Sequence, residues 1–250
     1  MINASVYIIC KNEEKHIKRV LESIKDFSEI IIVDSGSTDR TLDIAKEFTS
    51  NIFYKEWLGF AAQKEYARSL CNKEWVLNLD GDEELTEQLK EEIIKTIDEN
   101  RIDGLNIKIS SQYLGKFNNE KSKFNRRVRF FRKNVGYYPD KLVHESIIIN
   151  GKIKNANGFI YDYGTIDLKT HLSKINDYSS LRAQEKFNKN KKASLVKLLF
   201  VFPLSFLKSF FIKRGFLNGT RGFIAAINNS FYAFLKEAKL YELNNKKEKE

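Results

Sequence analysis

Cysteine and proline are nearly missing from this chain, with two of each in 250 residues. Cys10 and Cys71 sit far apart in apolar surroundings and belong to no metal-ligand spacing. A disulfide framework and a zinc module are therefore excluded, and a reducing cytoplasm is expected. Two prolines and twelve glycines exclude a linker-rich or low-complexity arrangement. There is no internal repeat. A Gly-x-Gly-x-x-Gly fingerprint is absent, as is a phosphate-cradling Gly-x-x-x-x-Gly-Lys loop, which speaks against dinucleotide oxidoreductases and P-loop enzymes. The opening Met-Ile-Asn-Ala-Ser lacks the basic and apolar stretches of a secretion signal. Acids, too, run out locally. From Tyr178 to Lys236 Glu185 stands alone against eleven lysines and arginines, so this stretch carries essentially all of the formal net charge of +10.

What is present is enough for a core. Hydrophobic residues make up 42% and aromatics 13% of the chain, which excludes general disorder. The length suits one domain with a small appendage. Val6–Cys10, Glu29–Val33, Asn51–Tyr54 and Trp75–Leu79 read as short buried strands. Between them, Ile17, Val20, Leu21 and Ile24 have amphipathic helical spacing, as do Leu42, Ile44, Ala45 and Phe48. A further helix is expected over 63–70. Strands alternating with helices predict an α/β fold with a doubly wound, mostly parallel sheet.

Trp75-Val76-Leu77-Asn78-Leu79-Asp80-Gly81-Asp82 concentrates the chemistry. Open α/β sheets place ligands at the carboxyl ends of their strands. Residues two apart in an extended segment share a face, so Asp80 and Asp82 can address one hard cation, Mg2+ or Mn2+. The structural alternative is an acidic turn capping the helix that begins near Thr86. Asp34-Ser35-Gly36-Ser37-Thr38-Asp39 closes another strand on the same rim. It reads both as a ligand loop and as an N-cap donating Ser37, Thr38 or Asp39 to the next helix. Phe124–Arg132 alternates arginine with apolar residues, a strand with one cationic face. Arg129 and Arg132 are the candidates there for diphosphate, against a merely solvated face.

Lys11-Asn12-Glu13-Glu14, the Asp34–Asp39 loop and Asp80-Gly81-Asp82-Glu83 together resemble family 2 glycosyltransferases of the GT-A fold. Gly59-Phe60-Ala61-Ala62-Gln63-Lys64, Val143-His144-Glu145 and Gly215-Phe216-Leu217-Asn218-Gly219 are similar to the WaaE-like subgroup, the lipopolysaccharide core β-1,4-glucosyltransferases. The resemblance implies that Asp34 binds the base of a nucleotide sugar, with Glu13 or Glu14 near the ribose. It implies that Gln63 and Lys64 line the donor pocket, and that Asp80 and Asp82 hold the metal ion at the diphosphate. Glu145 would be the catalytic base, with Asp140 in reserve. Asp162 stands where the subgroup usually has histidine and would serve the metal in its place. Gly81 is often alanine in the family, which implies a harmless exchange, and Asn218 replaces a commoner aspartate.

Leu195–Ile212 is apolar nearly all round but carries Lys197, Lys208 and Pro203. With its basic flanks it predicts an interfacial element on an anionic membrane surface rather than a true span. Phenylalanine density of this kind does not suit nucleic acid, which is not expected as a partner. The expected domains are therefore a catalytic domain over 1–175, a basic helical, membrane-associating appendage over 176–243 and a frayed tail over 244–250. The expected activity is inverting transfer of a hexose from a UDP-sugar to a lipopolysaccharide-core or other lipid-linked glycan acceptor. The site of action would be the cytoplasmic face of a bacterial inner membrane, as a peripheral protein. Capsule synthesis, protein glycosylation and a non-catalytic basic membrane-binding role are the alternatives.

Overall fold

The computed structural model describes residues 1–139, 147–164 and 167–247. In chain order its first elements are β1 (Ile2–Cys10), α1 (Ile17–Ile24), β2 (Phe27–Asp34), α2 (Thr41–Lys46), β3 (Ile52–Tyr54), α3 (Phe60–Ser69) and β4 (Trp75–Asp80). Then come β5 (Glu83–Leu85), α4 (Glu87–Glu99), β6 (Gly104–Ser111), β7 (Asn125–Arg132), β8 (Gly136–Tyr137), β9 (Ile148–Ile149) and β10 (Ile153–Asp162). Three helices complete the chain: α5 (Leu168–Asn188), α6 (Leu195–Leu207) and α7 (Gly219–Lys247). Contacts divide it into two compact units, Met1–Ser111 with Asn125–Gly164, and Gln112–Phe124 with Thr165–Glu250. The boundary expected at residue 175 thus falls inside α5, and residues 112–124 join the helical unit instead of the catalytic one. Nor does the chain fray from 244, since α7 continues to Lys247.

The first unit is an eight-stranded sheet of order β3-β2-β1-β4-β7-β6-β10-β5. The first four strands are parallel, β7 runs antiparallel to both its neighbours, β10 is parallel to β6, and β5 is antiparallel to β10. The sheet is therefore mixed, though parallel where the sequence pattern predicted it. Alternation along the strands builds a core on each face. Val6, Ile8, Ile30, Ile32, Leu77 and Leu79 meet α1 and α4 through Val20, Leu21, Leu89 and Ile93. Tyr7, Ile9, Ile31, Val33 and Val76 meet Ala67 of α3 and the buried Cys71. Both faces of the central strands are covered, which explains why they read as continuous apolar runs.

In the second unit, α5 packs on α7 through the buried small residues Ser179 and Ala183, and the Lys186–Glu237 ion pair spans the same helices. The start of α7 is tied to the 112–124 segment. Arg221 donates to the carbonyls of Tyr113, Lys116 and Phe117, and Asn218 Oδ1 accepts from the Asn119 amide at 2.7 Å. Asn218, where an acid is commoner in the resembling family, acts here as a structural clip.

Helix α4 begins where the sequence placed it. Thr86 is its N-cap, accepting from the Leu89 amide at 3.3 Å, and its hydroxyl also donates to the Phe159 carbonyl of β10 at 2.9 Å. One side chain thus closes the helix and fastens it to the sheet. Thr86→Ala should lower stability by about 1–2 kcal/mol, measured by urea denaturation with an unchanged m-value.

Candidate functional site

Strand order places the site. The chain moves outward from β1 through β2 to β3, then returns to lay β4 on the other side of β1. Crevices form outside the carboxyl ends of strands at such a reversal. Here those ends are Cys10 and Asp80. A cleft of about 500 Å³ opens there, lined by Cys10, Glu13, Trp57, Phe60, Asp80 and Asp82 among others. Trp57 and Phe60 meet edge to face at its rim, with ring centroids 4.7 Å apart. Both are partly exposed.

The floor is a network of four charges, with Lys64, Glu83 and Arg129 buried and Asp80 half-buried. Lys64 from α3 pairs with Asp80 at 2.9 Å, and Arg129 from β7 pairs with Asp80 at 3.1 Å and Glu83 at 2.6 Å. Arg129 also bonds to Asn78, while the Glu83 carboxylate accepts from the Asp80 amide at 2.9 Å. Burial alone would raise the Asp80 carboxyl, but the two cations more than offset it and hold it well below the usual carboxylate range. Burial pushes Glu83 upward, against the pull of Arg129. Arg129 is thus committed to the protein's own acids, which turns it from a candidate diphosphate ligand into a positioning residue. Lys64, 2% exposed, is held in the same way.

Asp82 differs from its neighbour. Burial, then the charges of Asp162, Glu13 and Asp80, push its carboxyl up to about 7. Asp162 arrives from β10, opposite Glu83 in register, and its oxygens accept from Ser111 Oγ at 2.8 Å and the Gly164 amide at 2.9 Å. Three acids distant in sequence therefore share one field, whereas Asp80 is bonded to Lys64 and Arg129. Clustered carboxylate oxygens are the donors a hard divalent ion prefers, so these residues fit Mg2+ or Mn2+. Among the described residues no three acid, histidine or cysteine side chains could enclose an ion by themselves.

Gly81 corrects an expectation. A Cβ there would lie 2.8 Å from Glu13 Cγ and 3.2 Å from Cys10 Cβ, so alanine is not a harmless exchange in this chain. Cys10, with its thiol pushed up by burial and by Asp34, forms part of the same tight floor.

The loops after β1 and β2 are clasped together. Asn12, at φ 57°, accepts from the Thr38 amide at 2.8 Å, and its own amide donates to Ser37 Oγ at 2.9 Å. The Glu13 amide donates to Thr41 Oγ1 at 2.7 Å and the Glu14 amide to Asp39 at 3.1 Å. In return the Glu14 carboxylate accepts from the Arg40 amide at 3.2 Å. Asp34, 2% exposed, accepts from the amides of Gly36 at 2.8 Å and Ser37 at 2.9 Å. Gln63 donates to Ser35 Oγ and the Lys55 carbonyl, each at 2.8 Å. Asp34, Glu14 and Gln63 thus shape the loops, with these bonds directed into the protein. The capping expectation is not met: α2 has Arg40 at its N-cap with no side-chain cap bond, while Asp39, one residue earlier, accepts from the Thr41 amide at 3.0 Å.

Of the predicted residues, Glu13, Glu14, Asp34, Gln63, Lys64, Asp80, Asp82, Arg129 and Asp162 come together at this end of the sheet. Arg132 does not. It pairs with Trp75 at the opposite end of β4, five residues from Asp80 and so roughly 16 Å away along the strand. There it stacks over the Trp75 ring at 4.4 Å and pairs with Glu74 and Asp103. Asp140 and Glu145 lie outside the described residues. Sequence reasoning missed Asn12, whose signal was an asparagine just past a strand end, and Trp57, which only its nearness to Phe60 could have marked.

A family model described as "Glycosyl transferase family 2" matches residues 5–150. An uncharacterized glycosyltransferase of Rickettsia typhi is 36% identical over 98% of this chain and 89% of its own length. The lipopolysaccharide core biosynthesis glycosyltransferase LpsC of Rhizobium meliloti is 33% identical over 95% of this chain and 92% of its own. Among solved structures, S. aureus TarS 1–349 has a TM-score of 0.50 at 17% identity, covering 98% of this chain and 92% of that one, a likeness of fold.

The different burdens on the two arginines can be measured. Arg129→Leu, which strands Asp80 and Glu83, should cost about 3–5 kcal/mol in denaturant unfolding. Arg132→Leu, at a partly solvated pair, should cost about 1 kcal/mol.

Proposed function

This chain belongs to glycosyl transferase family 2, and on that premise we propose an inverting, divalent-cation-dependent hexosyltransferase. Its donor is a nucleoside diphosphate sugar, UDP-glucose being the first to test. Its acceptor is a lipopolysaccharide core or a similar lipid-linked glycan. The observation that carries this reading is the approach of Asp162 to Asp82, each with a carboxylate oxygen within 3.2 Å of where a Cβ on Gly164 would stand, next to the β1/β4 cleft that Asp82 and Glu13 line. A cleft of about 500 Å³ is of the size that small ligands occupy. The acceptor class rests on the relationship to LpsC, whose name places that protein in lipopolysaccharide core biosynthesis.

In this proposal Asp82 and Asp162 would hold the cation. When bound, the ion supplies Lewis-acid neutralisation of the charge that grows on the departing diphosphate. Asp80, kept ionised by Lys64 and Arg129, fixes the end of β4 so that Asp82 cannot retreat. The 35–38 loop, shaped by Asp34 and clasped by Asn12, forms the wall on which the nucleoside rests. Trp57 and Phe60 offer apolar faces at the rim to a base or sugar ring.

Glu145 accepts the proton of the acceptor hydroxyl as that oxygen attacks the anomeric carbon. The bond from this carbon to the diphosphate breaks in the same event, the nucleoside diphosphate departs with the electron pair, and configuration inverts.

Thermal melting with candidate sugar nucleotides, with and without Mn2+, tests the donor. A true donor well above its dissociation constant should raise the melting temperature by roughly 5 °C or more. Asp82→Asn should abolish the Mn2+-dependent part of that shift. Glu145→Gln should keep the shift but lower turnover by about 10²–10⁴-fold. A shift indifferent to both Mn2+ and Asp82→Asn would refute the site as drawn.

A further inference from the structure

The second unit carries an apolar surface that the transfer reaction does not use. Leu195–Ile212 is an 18-residue stretch of mean hydropathy 1.9, long and apolar enough by length and composition to cross a membrane. None of it is buried. Its most exposed positions recur every four residues: Leu195 and Val196, Leu199 and Phe200, Leu204, Leu207, then Phe211 and Ile212, each 49–71% exposed. That spacing lays them along one side of α6 and its continuation. The intervening Val201, Phe202, Phe206 and Phe210 are half-buried, and the last two form an aromatic cluster with Phe223 of α7 at centroid distances of 5.4–6.0 Å. One side of the helix is therefore packed and the other is bare.

Charge around the bare stripe has one sign. Lys191 and Lys192 lie exposed just before α6, Lys197 and Lys208 are exposed within the stretch, and Arg214 is exposed just after it. No aspartate or glutamate occurs between Glu185 and Glu237. An apolar strip bordered only by cations matches a bilayer surface bearing anionic headgroups: the strip enters the acyl boundary while the lysine stems reach back to the phosphates.

The same unit argues against a span. After Ile212 the chain turns through Gly215–Asn218 and comes back as α7, so the stretch is one arm of a hairpin. The turn is held by polar bonds, from the Arg221 guanidinium to three carbonyls of the 112–124 segment and from the Lys123 backbone amide to the Lys213 carbonyl at 3.1 Å. Carrying that charged turn through hydrocarbon would strip it of water with no compensation.

We propose that the exposed stripe of α6, with its flanking cations, docks the protein in the plane of an anionic lipid bilayer. This goes beyond sugar transfer and does not depend on it.

The test is sedimentation of the full chain with vesicles of phosphatidylcholine alone and of equal parts phosphatidylcholine and phosphatidylglycerol. The chain should bind the anionic vesicles at least about tenfold more tightly than the neutral ones, with the difference shrinking in high salt. Leu199→Asp with Leu204→Asp should reduce binding about tenfold or more at an unchanged melting temperature. Lys191→Glu with Lys192→Glu, on a surface that cannot affect folding through packing, should weaken binding to the anionic vesicles alone. Equal binding by the aspartate variant, or no vesicle binding by the unaltered chain, overturns the proposal. A dimer in sedimentation equilibrium that the aspartates convert to monomer, without vesicle binding, would assign the stripe to a second copy instead. No donor is present in these measurements, so their failure leaves the transferase reading untouched.

Discussion

Everything at the cleft depends on how Asp80 is neutralised. Two cations from separate elements, Lys64 on α3 and Arg129 on β7, converge on one carboxylate at the end of a central strand. Buried charges are costly unless matched, and a matched set of this kind does more for specificity than for stability. It requires α3, β4 and β7 to arrive in one register, because a slip in any of them would leave an unpaired charge. It also separates two acids that are only two residues apart. Asp80 is satisfied by protein, whereas Asp82 is surrounded by further acids, and one consequence is that their carboxyls are pushed in opposite directions. The symmetrical metal pair that the Asp-x-Asp spacing alone would imply is replaced by two carboxylates in unlike surroundings.

The parallel half of the sheet was legible because its strands are buried on both faces and read as unbroken apolar runs. The Asp80/Asp82 rim followed from the same pattern, since a strand's end can be seen in sequence. Arg129 and Arg132 show where legibility stopped. Alternation on β7 told which residues share a face, but not at which end of the sheet each would lie. That is set by antiparallel pairing with β4, which puts Arg132 beside Trp75 and brings Arg129 to Asp80. Asp162 was reachable only through resemblance, because β10 comes to the site from more than seventy residues beyond β5 and local pattern cannot register that pairing. The 112–124 segment was misassigned for a related reason: its partners, Arg221 and Asn218, lie about a hundred residues further along the chain.

The two units meet different physical demands. The sheet unit needs precise placement of oxygen donors, and it obtains this from buried ion pairs and from side chains that cap backbone amides. The helical unit is built from aromatic packing on one side and leaves an apolar stripe on the other, a distribution that water does not favour. Chemistry on an acceptor with a lipid anchor would call for both.

The bonds between the loops after β1 and β2 run in both directions, amide to side chain, through Asn12, Ser37, Thr38, Thr41, Asp39 and Glu14. Neither loop can therefore tilt without the other, and the pair behaves as one hinge-free plate. Among relatives with a different nucleotide preference, exchanges at Asn12 and at Ser37 should come as matched pairs, because the Asn12 side chain accepts from the Thr38 amide and the Ser37 hydroxyl from the Asn12 amide, so either exchange made alone would leave an orphaned amide on the facing loop.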